Sequence, residues 1–124
     1  MLNKSILMKG AAICALFIFS LSSAGYNHKL TRSLGRVRGT WETETWYNLP
    51  MYRVVENMRK HGYTECDYPY YVRDDGVKML GDFVIVAADL DIYPRGTIVY
   101  TSLGQGLVCD TGEDLDGFDI AVEW

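Results

Sequence analysis

Residues 97–112, TIVYTSLGQGLVCDTG, hold two apolar, β-branched runs divided by Leu103, Gly104, Gln105 and Gly106, and they end on Asp110, Thr111 and Gly112. Such runs around a glycine-rich turn read as a pair of strands. The same pattern extends outward on both sides. FVIVAA at 83–88 is a wholly apolar strand, VKML at 77–80 leads to Gly81, PYYVR at 69–73 is followed by Asp74, Asp75 and Gly76, and FDIAVEW closes the chain at 118–124. Further upstream, TWETETWY at 40–47 puts Trp41, Thr43, Thr45 and Tyr47 on one face and Glu42, Glu44 and Trp46 on the other, the period-two alternation of a strand. Between these segments, Pro50 suits a first helical turn, and Met51, Val54, Val55 and Met58 recur at helical spacing up to Gly62. One short helix among short strands predicts a mainly β fold, a small closed barrel rather than a layered α/β domain.

A chain of 124 residues with 48% hydrophobic content suffices for one core and not for two. Its first 24 residues stand apart from that core. Lys4 and Lys9 precede an apolar run from Ala11 to Leu21, and Ser22, Ser23 and Ala24 follow, which is the order of a secretory signal peptide. The run is shorter than the ~20 residues of a bilayer span, so cleavage near Ala24 is favoured over a retained membrane anchor. Ile13 before Cys14 argues against a lipoprotein.

Without that leader the chain carries ten basic and sixteen acidic residues. From residue 25 to 40 the charges are all basic, Lys29, Arg32, Arg36 and Arg38, whereas residues 41–124 hold six basic and sixteen acidic side chains. The reading is a basic linker, 25–40, before an acidic domain, 41–124. The linker is either a solvated tether or a contact for anionic wall polymers and lipid head groups. A domain at −10 excludes nucleic acid as a natural partner. Cys66 and Cys109 remain after the leader, either as a disulfide or as two thiols.

Several chemistries fail on spacing. Asp110-Thr111-Gly112 resembles an aspartic protease half-site, but only twelve residues follow Gly112, too few for a flap and the remaining strands. Counting from Asp110, a helix–loop–helix calcium site would need an acid at Gly112 and a glycine at Leu115. His28 and His61 do not make a zinc set, and no metal or cofactor is expected. No G-x-S-x-G elbow and no phosphate-binding glycine loop occurs.

The carboxylates are the remaining chemistry. Asp119 lies between Phe118 and Ile120, downstream of a turn rich in acids. Apolar neighbours and nearby like charges both raise a carboxyl pKa, and a carboxyl protonated at neutral pH can act as general acid on a glycosidic bond. The alternative is a solvated acidic loop in which Asp110 caps its own turn.

Residues 81–124 resemble the three-aspartate ("3D") domain of bacterial cell-wall proteins. Asp89, then Pro94, Gly96 and Thr97, then Asp110, Thr111 and Gly112, and finally Asp119 fill the places of that family's ordered pattern, and ETETWYNLP at 42–50 resembles its opening strand. The family is similar to the catalytic barrel of membrane-bound lytic transglycosylase A. The resemblance implies a double-psi β-barrel that cleaves peptidoglycan glycan strands. It casts Asp119 as the acid, Asp110 and Asp89 as groups that tune it and hold sugar hydroxyls, and Thr45, Tyr47 and Thr111 as substrate-binding residues. Trp41 or Trp46 would either stack on a sugar or pack in the core. The sequence departs from the family in the loop after Gly112, where Glu113, Asp114 and Asp116 replace a small apolar stretch with a lysine, and in a shorter interval between Asp110 and Asp119. The expectation is thus an exported, monomeric peptidoglycan-cleaving enzyme without a cofactor. The alternative is a non-catalytic glycan-binding or wall-associated barrel.

Overall fold

A computed structural model describes residues 28–112 and 116–124. The leader at 1–24, the first linker residues and the acidic positions Glu113 and Asp114 lie outside the described residues. The chain is mainly β with one short helix: β1 (Arg36–Arg38), β2 (Thr43–Tyr47), α1 (Tyr52–Lys60), β3 (Tyr70–Val72), β4 (Lys78–Leu80), β5 (Phe83–Ala87), β6 (Ile98–Thr101), β7 (Gly104–Asp110) and β8 (Phe118–Ala121). No described helix is long and apolar enough to cross a membrane.

All strands join one sheet built around β5. On one edge β5 pairs with β7 in parallel. On its other edge, Phe83 and Val84 pair with β4 and Val86 and Ala87 pair with β8, both antiparallel. Beyond β8 lies β2, parallel to it, and then β1. The expected closed barrel is corrected here: among the described residues the pairing branches at β5 and does not close, leaving β1, β3 and β6 with one partner each. The exposed Arg36 and Arg38 on β1 are the kind of charge that blunts a free edge.

Period-two alternation sorts the side chains onto two faces. Val84 and Val86 of β5 and Ala88 just after it, Val108 of β7, and Phe118, Ile120 and Val122 in and after β8 bury themselves in one cluster. Ile85, Leu107, Cys109 and Ala121 point the other way, against Met51, Met58 and the partly buried Val54 and Val55 of the helix. The parallel strands approach closely at Gly106, where a Cβ would stand 2.6 Å from Val86 Cγ2. The helix ends as a glycine-stopped helix should. Gly62, at φ +96°, donates to Arg59 O, and Tyr63 N–H donates to Met58 O, the paired bonds of a Schellman motif.

The segment read as a tether contributes to the core from Leu30 onward. Leu30 and Val37 are buried in the first cluster, and Leu30 N–H donates to Ser102 Oγ at 2.9 Å. Cys109 is buried, Cys66 is exposed, and both are free thiols.

Candidate active site

Strict alternation along β7 would put Asp110 beside Val108, inside the first cluster. A bulge prevents this. Val86 pairs with Val108, but the next residue of β5, Ala87, pairs with Asp110, so Cys109 is the extra residue and Asp110 is turned onto the helix-bearing face. A bulge at a strand end is a common way to re-aim a side chain. Asp110 Oδ2 then accepts from Tyr47 Oη at 3.1 Å, and Oδ1 accepts from Thr111 N–H at 2.8 Å.

Asp119 reaches the same face from β8. It pairs with Ala87 across the antiparallel ladder and with Thr45 across the parallel one, and Thr45 Oγ1 donates to Asp119 Oδ1 at 2.9 Å. Laterally paired residues share a face, so Thr45, Asp119, Ala87 and Asp110 form a row across four strands. Gly117 sets the approach of β8 to β2: its φ is +105°, and a Cβ there would collide with the Thr43 carbonyl.

The electrostatics follow from this row. Burial pushes the half-buried Asp119 carboxyl above its ordinary range; the Thr45 hydroxyl opposes that shift and the Asp110 charge adds to it. Burial, then the Asp110 charge and hydrogen bond, raise Tyr47, so its phenol remains a donor. Burial also lifts the Cys109 thiol to about 12, which removes it as a nucleophile at neutral pH.

The remaining expected residues are placed less closely. Asp89 lies two residues past the end of β5 and caps the following turn, with Oδ1 accepting from Asp91 N–H at 2.9 Å, and it makes no hydrogen bond to Asp110 or Asp119. Thr111 is exposed, and its described contact with Asp110 is through the backbone. Trp46 packs on the first cluster and meets Trp124 edge-on at 5.6 Å, a core role. Trp41 is 44% exposed and lies 5.4 Å from the equally open Tyr100.

Three residues were not singled out from the sequence. Glu44 is fully buried and accepts from Ser102 N–H at 2.8 Å and Ser102 Oγ at 2.6 Å. Its alternation with Trp46 was the available signal. Lys78 is buried within an apolar run, donating to Asn48 Oδ1 and Leu49 O. Arg95 Nε donates to Cys109 O at 3.4 Å.

Among the described residues, no group of three or more His, Cys, Asp or Glu could hold a metal ion. Two hollows among the described residues lie away from this row, one of about 380 Å³ over Tyr52, Arg53, Glu56, Asn57 and Lys60 on the helix, another of about 300 Å³ between Leu30, Leu103 and Trp124. Neither contains a titratable pair with a raised carboxyl, so the chemistry points to the Asp110–Asp119 row. A carboxyl whose pKa burial raises, beside a second carboxylate and two hydroxyl donors, is the kind of group that general acid–base chemistry uses. No family model matches the chain, and no curated protein matches it.

Proposed function

We propose that the chain is an exported peptidoglycan-cleaving enzyme, a lytic transglycosylase with Asp119 as its single acid and base. The observation that carries this reading is Asp119 itself, half-buried, held by Thr45 and raised in pKa by burial and by Asp110. In such a reaction Asp119 gives its proton to the glycosidic oxygen as the bond to the anomeric carbon breaks. The carboxylate then takes the proton of the sugar's own 6-hydroxyl as that oxygen bonds to the anomeric carbon, leaving a 1,6-anhydro product. One acid suffices because the nucleophile belongs to the substrate.

The finer topology assigned with this reading is the double-psi strand arrangement of the three-aspartate type, in a sheet that does not close among the described residues, and two parallel pairings, β2 with β8 and β5 with β7, support it. Export rests on the leader at 1–24, and the cell envelope is the corresponding location. Contact with anionic wall polymers rests on Lys29, Arg32, Arg36 and Arg38, all largely outside the core.

The test is digestion of purified peptidoglycan sacculi by the wild type and Asp119→Asn, with products read by mass spectrometry. Anhydro-muropeptides from the wild type alone are the expected result. Reducing-end products would make the enzyme a hydrolase instead. A second reading, a glycan-binding module without catalysis, draws on the exposed Trp41 and Tyr100, which offer flat apolar faces to a sugar. Sacculi bound but undigested by both proteins would select it.

A further inference from the structure

The sequence places one cation where the carboxylates are concentrated. From residue 79 to the end of the chain, Arg95 is the single lysine or arginine, against nine acidic residues. Asp110 and Asp119 are among those nine, as are Glu113, Asp114 and Asp116 of the intervening loop. A row with two carboxylates, Asp110 and Asp119, repels an anionic substrate unless a fixed cation faces it. Arg95 has the location for that task.

Gly96 N–H donates to Val108 O at 2.8 Å, so the turn carrying Arg95 runs beside the last residues of β7. Arg95 Nε donates to the carbonyl of Cys109, the residue covalently joined to Asp110. The guanidinium therefore stands at the Asp110 end of the carboxylate row. Its charge reaches the neighbouring Cys109, where it lowers the thiol pKa against the larger effect of burial.

The turn is held in place. Thr97 Oγ1 donates to Pro94 O at 2.6 Å and Thr97 N–H donates to the same oxygen at 3.0 Å. Gly96 has a φ of +95°, and a Cβ there would stand 2.8 Å from Tyr63 Oη, so the backbone next to Arg95 packs directly on Tyr63, three residues past the end of the helix. A guanidinium fixed through Nε keeps its two terminal nitrogens in one plane, the fork geometry that matches a carboxylate. Among the described residues the one ion pair within 4.0 Å is Arg73 with Asp75, so neither Asp110 nor Asp119 neutralises that fork.

We propose that Arg95 is the substrate-recognition residue for a carboxylate carried by the glycan, the acidic lactyl or peptide arm that distinguishes a muramic-type sugar from a neutral N-acetylhexosamine. The inference rests on the glycan-cleaving reading above and assigns it a substrate class. Arg95 binds and orients; it takes no part in proton transfer. Two strands, β5 and β7, lie between Asp119 and the Arg95 turn, so on this proposal the glycan lies across them, its glycosidic oxygen at the acid and its acidic arm at the fork.

The experiment is a calorimetric titration of the purified full-length protein with two probes, a disaccharide-peptide fragment bearing free carboxylates and a neutral N-acetylglucosamine oligosaccharide. It is done for the wild type, Arg95→Gln and Arg95→Lys, at low and high salt, with circular dichroism to verify folding. Loss of one charge-assisted contact in Arg95→Gln is expected to weaken the carboxylated probe by roughly tenfold or more. The neutral probe is expected to be unaffected. Arg95→Lys should recover part of the affinity as a point charge without the fork, and added salt should weaken the carboxylated probe in the wild type more than in Arg95→Gln. An equal loss on both probes, or no loss on either, overturns the assignment to Arg95 while leaving a glycan site in place. Wild type that binds neither probe overturns the glycan reading and this inference with it.

Discussion

Asp110 and Asp119 meet the same residue, Ala87, from opposite edges of β5, so a methyl side chain separates two carboxylates on one face of the sheet. A larger side chain at 87 would push the pair apart. Ala87→Val is expected to cost about 1–3 kcal/mol of stability through overpacking. Displacing a reacting group by about 1 Å costs on the order of 10²-fold in rate, and on the proposed reading product release from sacculi should fall by that order. Ala87→Gly, which leaves the space open, should retain far more activity than Ala87→Val. Equal activity in the two variants would show that the spacing of the carboxylates is not what matters.

The neighbours of Asp119 act on its pKa in opposite directions, and each can be removed. Burial raises it, Thr45 lowers it and Asp110 raises it. Thr45→Val should move the titration of Asp119 to higher pH, and Asp110→Asn should move it lower, both read from the carboxyl carbon by NMR. On the proposed reading Asp119 must carry its proton to act as general acid, so the wild-type rate should decline as pH rises through the raised pKa. Stability has the same sign. The folded state holds this proton more tightly than the unfolded chain, so the contribution is full below the ordinary carboxylate pKa of about 3.9 and is lost as pH rises through the folded value. Denaturant unfolding of Asp119→Asn should show a flatter pH dependence over that window, and an unchanged slope would remove Asp119 as its source.

Alternation alone assigned Thr45 and Tyr47 to one face and Glu44 and Trp46 to the other, and the structure keeps that division because a half-buried strand has a strict period of two. The helix was equally legible, since its apolar stripe and its glycine stop are both local. Pairing was not. Nothing in the composition of β2 or β8 distinguishes a parallel from an antiparallel neighbour, and the branching at β5 depends on contacts distant in sequence. The bulge at Cys109 escaped for a related reason: an extra residue in one strand is defined only against its partner. Leu30 was absorbed into a basic segment whose charges concealed two core residues. Asp119 could be singled out from its apolar flanks, whereas Asp89, equally acidic, became a turn cap because β5 ends two residues before it.

Glu44 links three parts of the chain. Its carboxylate takes both the N–H and the hydroxyl of Ser102 in the β6–β7 turn, and the same Ser102 Oγ accepts from Leu30 N–H. Burial raises its pKa, partly offset by the two Ser102 bonds. The raised value means that Glu44 favours folding most at acid pH and loses that contribution as pH rises through its folded pKa. Glu44→Gln, which retains a hydrogen-bonding amide, should flatten this dependence at little cost. Glu44→Ala leaves the Ser102 N–H without its acceptor, at about 1–3 kcal/mol, and should release the segment around Leu30. Hydrogen exchange at Leu30 is the specific readout; unchanged protection there in Glu44→Ala would mean that apolar packing alone holds the segment.

The register of Asp119 against Thr45 depends on Gly117. At φ +105° a side chain is strained in any surroundings, and here the Cβ would also strike the Thr43 carbonyl on the adjacent strand. Gly117→Ala is therefore expected to cost about 1–3 kcal/mol from backbone strain, with any further loss from the opened contact between β2 and β8. If β8 shifts away from β2, the Thr45 bond to Asp119 lengthens, and Asp119 should titrate at higher pH just as in Thr45→Val. The double variant Gly117→Ala with Thr45→Val separates the causes. Titration no higher than in Thr45→Val alone places the whole effect of Gly117 in that one hydrogen bond. A further rise would mean that the turn also controls the burial of the carboxyl.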